Sequence, residues 1–514
     1  MAIREQFSSR WGLILAALGM AIGTGNIWRF PREAAKHGGG AFLIAWIVAL
    51  FVWSIPLLMV EFAIGKSTRR GTIGAFAKFL GPGHAWMGAF IGFCTLAILF
   101  YYSVVTGWCL KYFVATIIEP STLQADPETY WKSFTNSSWS VFWSEERSLQ
   151  PIIYHGLAIL AGAAIVAAGV VKGIQRANRI FIPALFILLI IAAIRACTLD
   201  GASRGIEFLF HIDLAHLKNY ETWLAAFSQS AWSTGAGWGL ILTYAVYTRE
   251  KEDVALNSFL TGLGNNSASL IAALAVIPVV FALLPQEEAL AVMKQGNEGM
   301  TFTWLPQLFL GGQMPGGRFF LPLFFLALSV AALSSLIALV ELGARILMDM
   351  GLGRKKAIMA IGVATFGLGL PSACSMSFFQ NQDWVWGVGL LISGVFCAYA
   401  AIRYGVDKFR RELLNAEGSD MRVGRWFNVA ICFLIPAAFL GMIIWWFGSV
   451  WPTETLQDGT SVKLSFADGI GKWLAPFEIW NVGTCLFQWT IAILIFIALG
   501  RLLARLSLRG ETAK

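Results

Sequence analysis

Gly19-Met20-Ala21-Ile22-Gly23-Thr24-Gly25-Asn26 and Ser233-Thr234-Gly235-Ala236-Gly237-Trp238-Gly239 each lie in the middle of a long apolar segment. Hydrocarbon offers no hydrogen bonds, so a helix crossing it is continuous unless its freed backbone groups are paired inside the protein. One such run alone would be accounted for by small residues that let helices pack closely. Two runs, five apolar segments apart, are the pattern of an inverted-repeat transporter whose site lies at the bilayer midplane. There the positive ends of half-helices face an anion, while freed carbonyls ligate a cation. Gly23-Thr24-Gly25 lacks the third glycine and the preceding strand of a dinucleotide loop.

The rest of the chain fits a lipid solvent. Of its 514 residues 57% are apolar and 13% charged, with a mean hydropathy of +0.66. A span needs about 20 apolar residues, and twelve segments qualify: 11–34, 40–66, 86–117, 152–171, 178–198, 223–248, 254–284, 317–350, 357–376, 384–405, 427–450 and 478–506, numbered here spans 1 to 12. The first has no cleavage site and reads as a retained span.

Cations gather at alternate ends of these segments: Arg4 and Arg10 before span 1, Lys66, Arg69 and Arg70 after span 2, Lys172 and Arg176 after span 4, Arg354 to Lys356 after span 8, and Arg501 and Arg505 at the end of span 12. The positive-inside rule then places both termini in the cytoplasm of a multi-pass protein of the cell (cytoplasmic or inner) membrane. The same clustering explains the net charge of +8 without nucleic acid as a partner. The seven cysteines fall in or at the ends of spans without metal spacing and read as packing residues. The five histidines form no ligand pair, and no nucleophile motif occurs, which argues against an enzyme.

Gly25-Asn26-Ile27-Trp28-Arg29-Phe30-Pro31, followed by Gly38-Gly39-Gly40-Ala41-Phe42, closely resembles the signature of the neurotransmitter:sodium symporter family. The resemblance continues through Tyr101-Tyr102 in span 3, Thr243-Tyr244 and Tyr247 in span 6, and Leu333-Ser334-Ser335 with Ala338 in span 8. It implies an all-α membrane protein of twelve helices, with an inverted five-helix repeat and unwound helices 1 and 6. The divisions are 1–222 for the first repeat with its extracellular loops, 223–424 for the second, and 425–514 for spans 11 and 12 with a cytoplasmic tail.

The resemblance also implies site residues. A first sodium site maps to Ala21, Asn26, Ser233 and Asn265 together with the substrate carboxylate, and a second to Gly19, Ile22, Ala331, Ser334 and Ser335. Hard cations want such oxygens. Substrate positions map to Ala21, Thr24 and Gly25, to Tyr102, whose hydroxyl would hold the carboxylate, to Trp232, Ser233, Gly235 and Trp238, and to Ser335 and Leu339. Gly23 stands where monoamine carriers resemble one another in having Asp, which favours an α-amino acid. Gly235 enlarges the pocket, while Trp232 and Trp238 refill it with aromatic surface and favour an apolar or aromatic side chain.

Charges in the membrane are costly and mark function. Arg29 and Asp383 resemble the family's extracellular gate, and Arg4 and Asp349, with Phe7 and Tyr247 nearby, its cytoplasmic gate. Glu61 reads as a partner for the broken span 6 backbone, and Glu341 carries no role on this reading. Four residues beyond Asn265, Ser269 stands where many bacterial relatives hold a carboxylate. Chloride-dependent members have serine there, so chloride held by Gln229, Ser233, Asn265 and Ser269 is expected as a second ion beside sodium. Trp46, in place of the family's tyrosine, would offer an indole N–H. The alternative is that Ser269 only packs and Glu61 or another acid balances the charge. The expected function is sodium-coupled symport of an amino acid by alternating access; the alternative is a transport-dead sensor or channel-like protein sharing the fold.

Overall fold

A computed structural model of the protein describes residues 5–135, 148–312, 314–417, 419–455 and 461–509. Ten of its helices are long and apolar enough to cross a membrane: Gly40–Thr68, Pro82–Ile118, Gln150–Ala167, Val170–Cys197, Val254–Leu283, Gly317–Asp349, Arg354–Cys374, Met376–Tyr404, Trp426–Ser449 and Val482–Ser507. Span 1 is a bent pair, Arg10–Ala21 and Gly25–Lys36, with a 57° change of direction. Span 6 is two pieces, Tyr220–Ser233 and Leu240–Ala245. Among the described residues the only sheet is a small antiparallel hairpin, Thr453–Thr455 with Ser461–Lys463, between spans 11 and 12.

Burial sorts the spans into layers. Spans 3 and 8 are each 78% buried over their most apolar stretch, whereas span 5 is 22% and span 11 28% buried. All four are apolar, so the difference is one of neighbours: spans 3 and 8 pack against protein, while Ile180, Ile187 and Ile194 of span 5 face outward as lipid-facing residues do. Span 10 begins at Met376, eight residues before the apolar segment suggested. Its first two turns carry Ser377, Gln380, Asn381, Gln382 and Asp383, which lower the apolarity count; Gln380 and Asp383 line the cavity, and Asn381 bonds to Thr484 of span 12.

Both breaks are stabilised by polar side chains, the first by one of its own span and the second by residues of spans 2 and 3. At the first, Ile22 is extended (φ −82, ψ 101), and the Gly23 N–H donates to Asn26 Oδ1 at 2.9 Å. At the second, Gly235, Gly237 and Gly239 have φ of +68, +89 and +77, a region open to glycine at little cost. The Gly239 N–H donates to Glu61 Oε1 at 2.5 Å, and Thr95 Oγ1 donates to the Trp238 carbonyl at 2.6 Å. Gly237 also lies close against span 10, where a Cβ on it would stand 2.8 Å from Gly394 Cα.

Glu61 is fully buried, so its loss would leave the Gly239 N–H unpaired in a dry interior. Glu61→Ala is expected to destabilise the purified protein by roughly 1–3 kcal/mol in thermal unfolding, with Glu61→Gln milder because its carbonyl still accepts. Equal melting of the two variants would contradict this account of the break.

Candidate functional site

The two breaks face each other across a cavity of about 520 Å³. Ala21, Gly23, Thr24, Gly25, Asn26, Tyr102, Trp232, Ser233, Gly235, Trp238, Ser335 and Leu339 all line it, so every substrate position expected from the sequence lies on one surface. Gly23 is the narrow point, because a side chain there would meet Ser335 Oγ at 2.9 Å and Tyr102 Oη at 3.0 Å. The Thr24 N–H donates to the same tyrosine oxygen at 3.3 Å. A Cβ on Gly235 would stand in ordinary contact with Met20 Cε at 3.6 Å and Leu240 Cδ1 at 3.7 Å.

Oxygens crowd on two sides of this cavity. The Asn265 amide lies 2.7 Å from the Asn26 amide, 3.2 Å from the Ala21 carbonyl and 2.9 Å from the Ser233 carbonyl, with Ser233 Oγ at 3.0 Å. Below it, Ser335 Oγ lies 3.4 Å from the Gly19 carbonyl and 3.3 Å from that of Ile22. Ser334 Oγ is 2.9 Å from the Ala331 carbonyl and 3.4 Å from that of Ile22. The break in span 1 turns these carbonyls inward. Carbonyl, hydroxyl and amide oxygens of this kind are the neutral ligands that suit a small hard cation.

Ser269 accepts from Asn26 Nδ2 at 2.8 Å, beside Asn265. Gln229 Nε2 reaches the Gly25 carbonyl at 3.5 Å instead, and no hydrogen bond joins Gln229 to Ser269. Gln229 Oε1 and the Trp46 indole nitrogen are buried without partners. The unpaired Gln229 oxygen would suit an anion only once the amide is turned to present its N–H groups.

The cavity opens outward past Arg29 and Asp383 to Lys36, His37, Glu298, Trp446 and Trp480. No ion pair joins Arg29 to Asp383. Arg29 donates to Ser228 Oγ at 3.1 Å, stands 5.6 Å above the Trp232 ring and lies 4.0 Å from Glu33. Glu33 in turn pairs with Arg32 at 2.6 Å and His37 at 3.3 Å, and Arg32 reaches Asn297 in the loop before span 8 at 2.9 Å. Burial raises the carboxyl pKa of Glu298 in that loop, and nearby Asp383 adds to the shift.

At the opposite end of the bundle the way is closed. The Phe7 N–H donates to the Tyr247 carbonyl at 3.0 Å, and the Phe7 ring meets Tyr244 edge-on. Arg4 lies outside the described residues. Asp349 accepts the Gly71 N–H at 2.5 Å and pairs with Arg345 and, at 3.8 Å, with Arg70. Glu341, which sequence reasoning left without a role, accepts from Tyr247 at 2.5 Å and from Arg354 at 2.6 Å. Arg354 also pairs with Glu5 at 3.3 Å. No spacing rule links Glu341 to Arg354, since the chain turns between spans 8 and 9 to bring them together.

Loss of Arg354 would leave Glu341 buried with one neutral partner and weaken closure. Arg354→Gln is expected to speed maleimide labelling of Phe7→Cys, in a background where the two half-buried cysteines, Cys197 and Cys432, are serine. The increase corresponds to a coupling of about 0.5–2 kcal/mol, roughly 2- to 30-fold. An unchanged rate would show that the network does not hold the cytoplasmic side shut.

Comparison with known proteins agrees with this geometry. The chain is 34% identical to an uncharacterized sodium-dependent transporter of Methanocaldococcus jannaschii over 83% of this chain and 87% of that one. It is 30% identical to the sodium-dependent transporter YhdH of Bacillus subtilis over 85% and 96%. The crystal structure of MhsT in complex with L-phenylalanine superposes with a TM-score of 0.73 and 31% identity, covering 86% of this chain and 99% of that one. These relatives are transporters, not enzymes. Residues 4–141 and 149–493 match the sodium:neurotransmitter symporter family, and the chain belongs to that family of multi-pass membrane transporters.

Proposed function

We propose that this protein is a secondary symporter that carries an α-amino acid with an apolar or aromatic side chain into the cell together with sodium. The observation that carries the reading is the pair of oxygen clusters flanking one cavity, built from the carbonyls and side chains of spans 1, 6, 7 and 8. In the first cluster Ala21, Asn26, Ser233 and Asn265 leave a position on the cavity side for the substrate carboxylate, which Tyr102 would also hold. In the second, Gly19, Ile22, Ala331, Ser334 and Ser335 supply the oxygens. The phenylalanine bound to MhsT and the paired Trp232 and Trp238, 5.7 Å apart, support a bulky apolar side chain.

Alternating access on this reading moves spans of the repeats 1–222 and 223–424 against each other, with 425–514 outside them. The present geometry is the outward-facing state, with both termini on the closed, cytoplasmic side of the cell membrane. Closing the outside would bring Arg29 to Asp383, and opening the inside would release Asp349 from the Gly71 N–H, Arg345 and Arg70. Chloride beside Ser269, with Asn265, Ser233 and Gln229, would balance sodium in a medium where an uncompensated cation is expensive.

Two experiments test this. In proteoliposomes, uptake of phenylalanine or leucine should saturate and require sodium, and linkage requires that sodium raise substrate affinity as much as substrate raises sodium affinity. Asn26→Ala and Ser334→Ala should weaken sodium dependence, while Tyr102→Phe should mainly weaken substrate. Affinity unchanged when sodium gives way to a large organic cation would contradict coupling and favour a sensor or channel. With gluconate replacing chloride, wild-type uptake should fall and Ser269→Glu uptake should persist. Full wild-type uptake without chloride would assign charge balance to an acid instead.

A further inference from the structure

Span 10 carries a notch just below the outer gate. Gly387 lies one helical turn after Asp383 within Met376–Tyr404. A Cβ built on it would overlap Trp232 Cζ2 and stand 2.9 Å from Cη2 and 3.2 Å from Cε2. The far edge of the Trp232 indole therefore fills the space that a side chain at 387 would need. The same ring lies beneath the Arg29 guanidinium at 5.6 Å and meets Trp238 edge-on at 5.7 Å and 79°. Since Trp232 belongs to the outer half of span 6, its indole reaches from one wall of the cavity to the other, between the gate pair and the space below.

We infer that Gly387 is a specificity-determining residue: by receiving the Trp232 indole it sets the ceiling of the cavity, and with it the bulk of side chain the site encloses. The inference rests on the amino-acid reading of the cavity given above. An added methyl at 387 meets the end of a side chain with two free torsions, not backbone, so the indole would move and the helix would stay. The displaced ring would leave Arg29 or Trp238 and take up room that a large substrate side chain needs. A small substrate would lose little. Large at 232 thus requires nothing at 387. Ordinary small-residue packing of span 10 makes a different prediction, since a loss of that kind would not be repaired by shrinking residue 232.

The test uses the purified full-length protein and has two parts. In sodium without any amino acid, the protein labelled with 5-fluorotryptophan has one ¹⁹F resonance that disappears in Trp232→Phe, and Gly387→Ala should shift that resonance. In sodium-dependent binding of alanine, leucine, phenylalanine and tryptophan, Gly387→Ala should weaken the two aromatic ligands about tenfold relative to alanine. Adding Trp232→Leu to Gly387→Ala should restore them. An unmoved resonance overturns the notch. A loss equal for all four ligands and not repaired by Trp232→Leu overturns the specificity role. A wild-type protein that binds none of the four counts against the amino-acid reading, while the resonance still decides whether the notch exists.

Discussion

The carboxylate of Glu61, fully buried in span 2, accepts the Gly239 N–H at 2.5 Å. Its counterpart is the Asn26 side chain, which accepts the Gly23 N–H at 2.9 Å. An unpaired backbone group in hydrocarbon costs several kcal/mol, so neither break could persist without such a partner. Once the breaks exist, the Gly19, Ala21 and Ile22 carbonyls turn toward the cavity instead of closing a helical ladder. The polar residues of spans 7 and 8 then have something to meet: Asn265 beside Ala21, Ser334 and Ser335 beside Ile22. Interrupted helices, buried acid and oxygen clusters are consequences of one constraint.

That constraint also explains where glycine is used. Gly237 and Gly394 bring the span 6 break and span 10 into backbone contact, and Gly387 admits the Trp232 indole a little further along the same helix. Span 10 thus meets span 6 through missing side chains at two levels.

Much of this was legible in the sequence because its physical cause is local. Glycine runs in apolar segments locate the breaks, and the signature around Asn26 points to the family. Span 10 was read too short because Ser377, Gln380, Asn381, Gln382 and Asp383 in its first turns lower the apolarity that marks lipid contact. Arg29 makes no direct ion pair with Asp383; Ser228 and Glu33 hold it. Glu33 itself, with Arg32 and His37, escaped notice: charges near the extracellular end of a span look like ordinary solvated residues until the fold brings them to one place. Glu341 was visible as an anomaly but not as a partner of Arg354, because pairing across a turn between two spans leaves no periodic trace.

The two ends of the cavity are closed by different means, and the difference bears on how a carrier keeps two states within a few kcal/mol of each other. At the cytoplasmic end Glu341 has no exposure and depends on Arg354 and Tyr247, so separating them would leave a buried charge unless water enters as they part. At the outer end Arg29 already has Ser228, Glu33 and the Trp232 face as partners. Moving it to Asp383 in the proposed cycle exchanges one set of partners for another and leaves no charge stranded, with Glu33 still held by Arg32 and His37. The outer gate can therefore close at small net cost, while the inner one opens only as water hydrates its network.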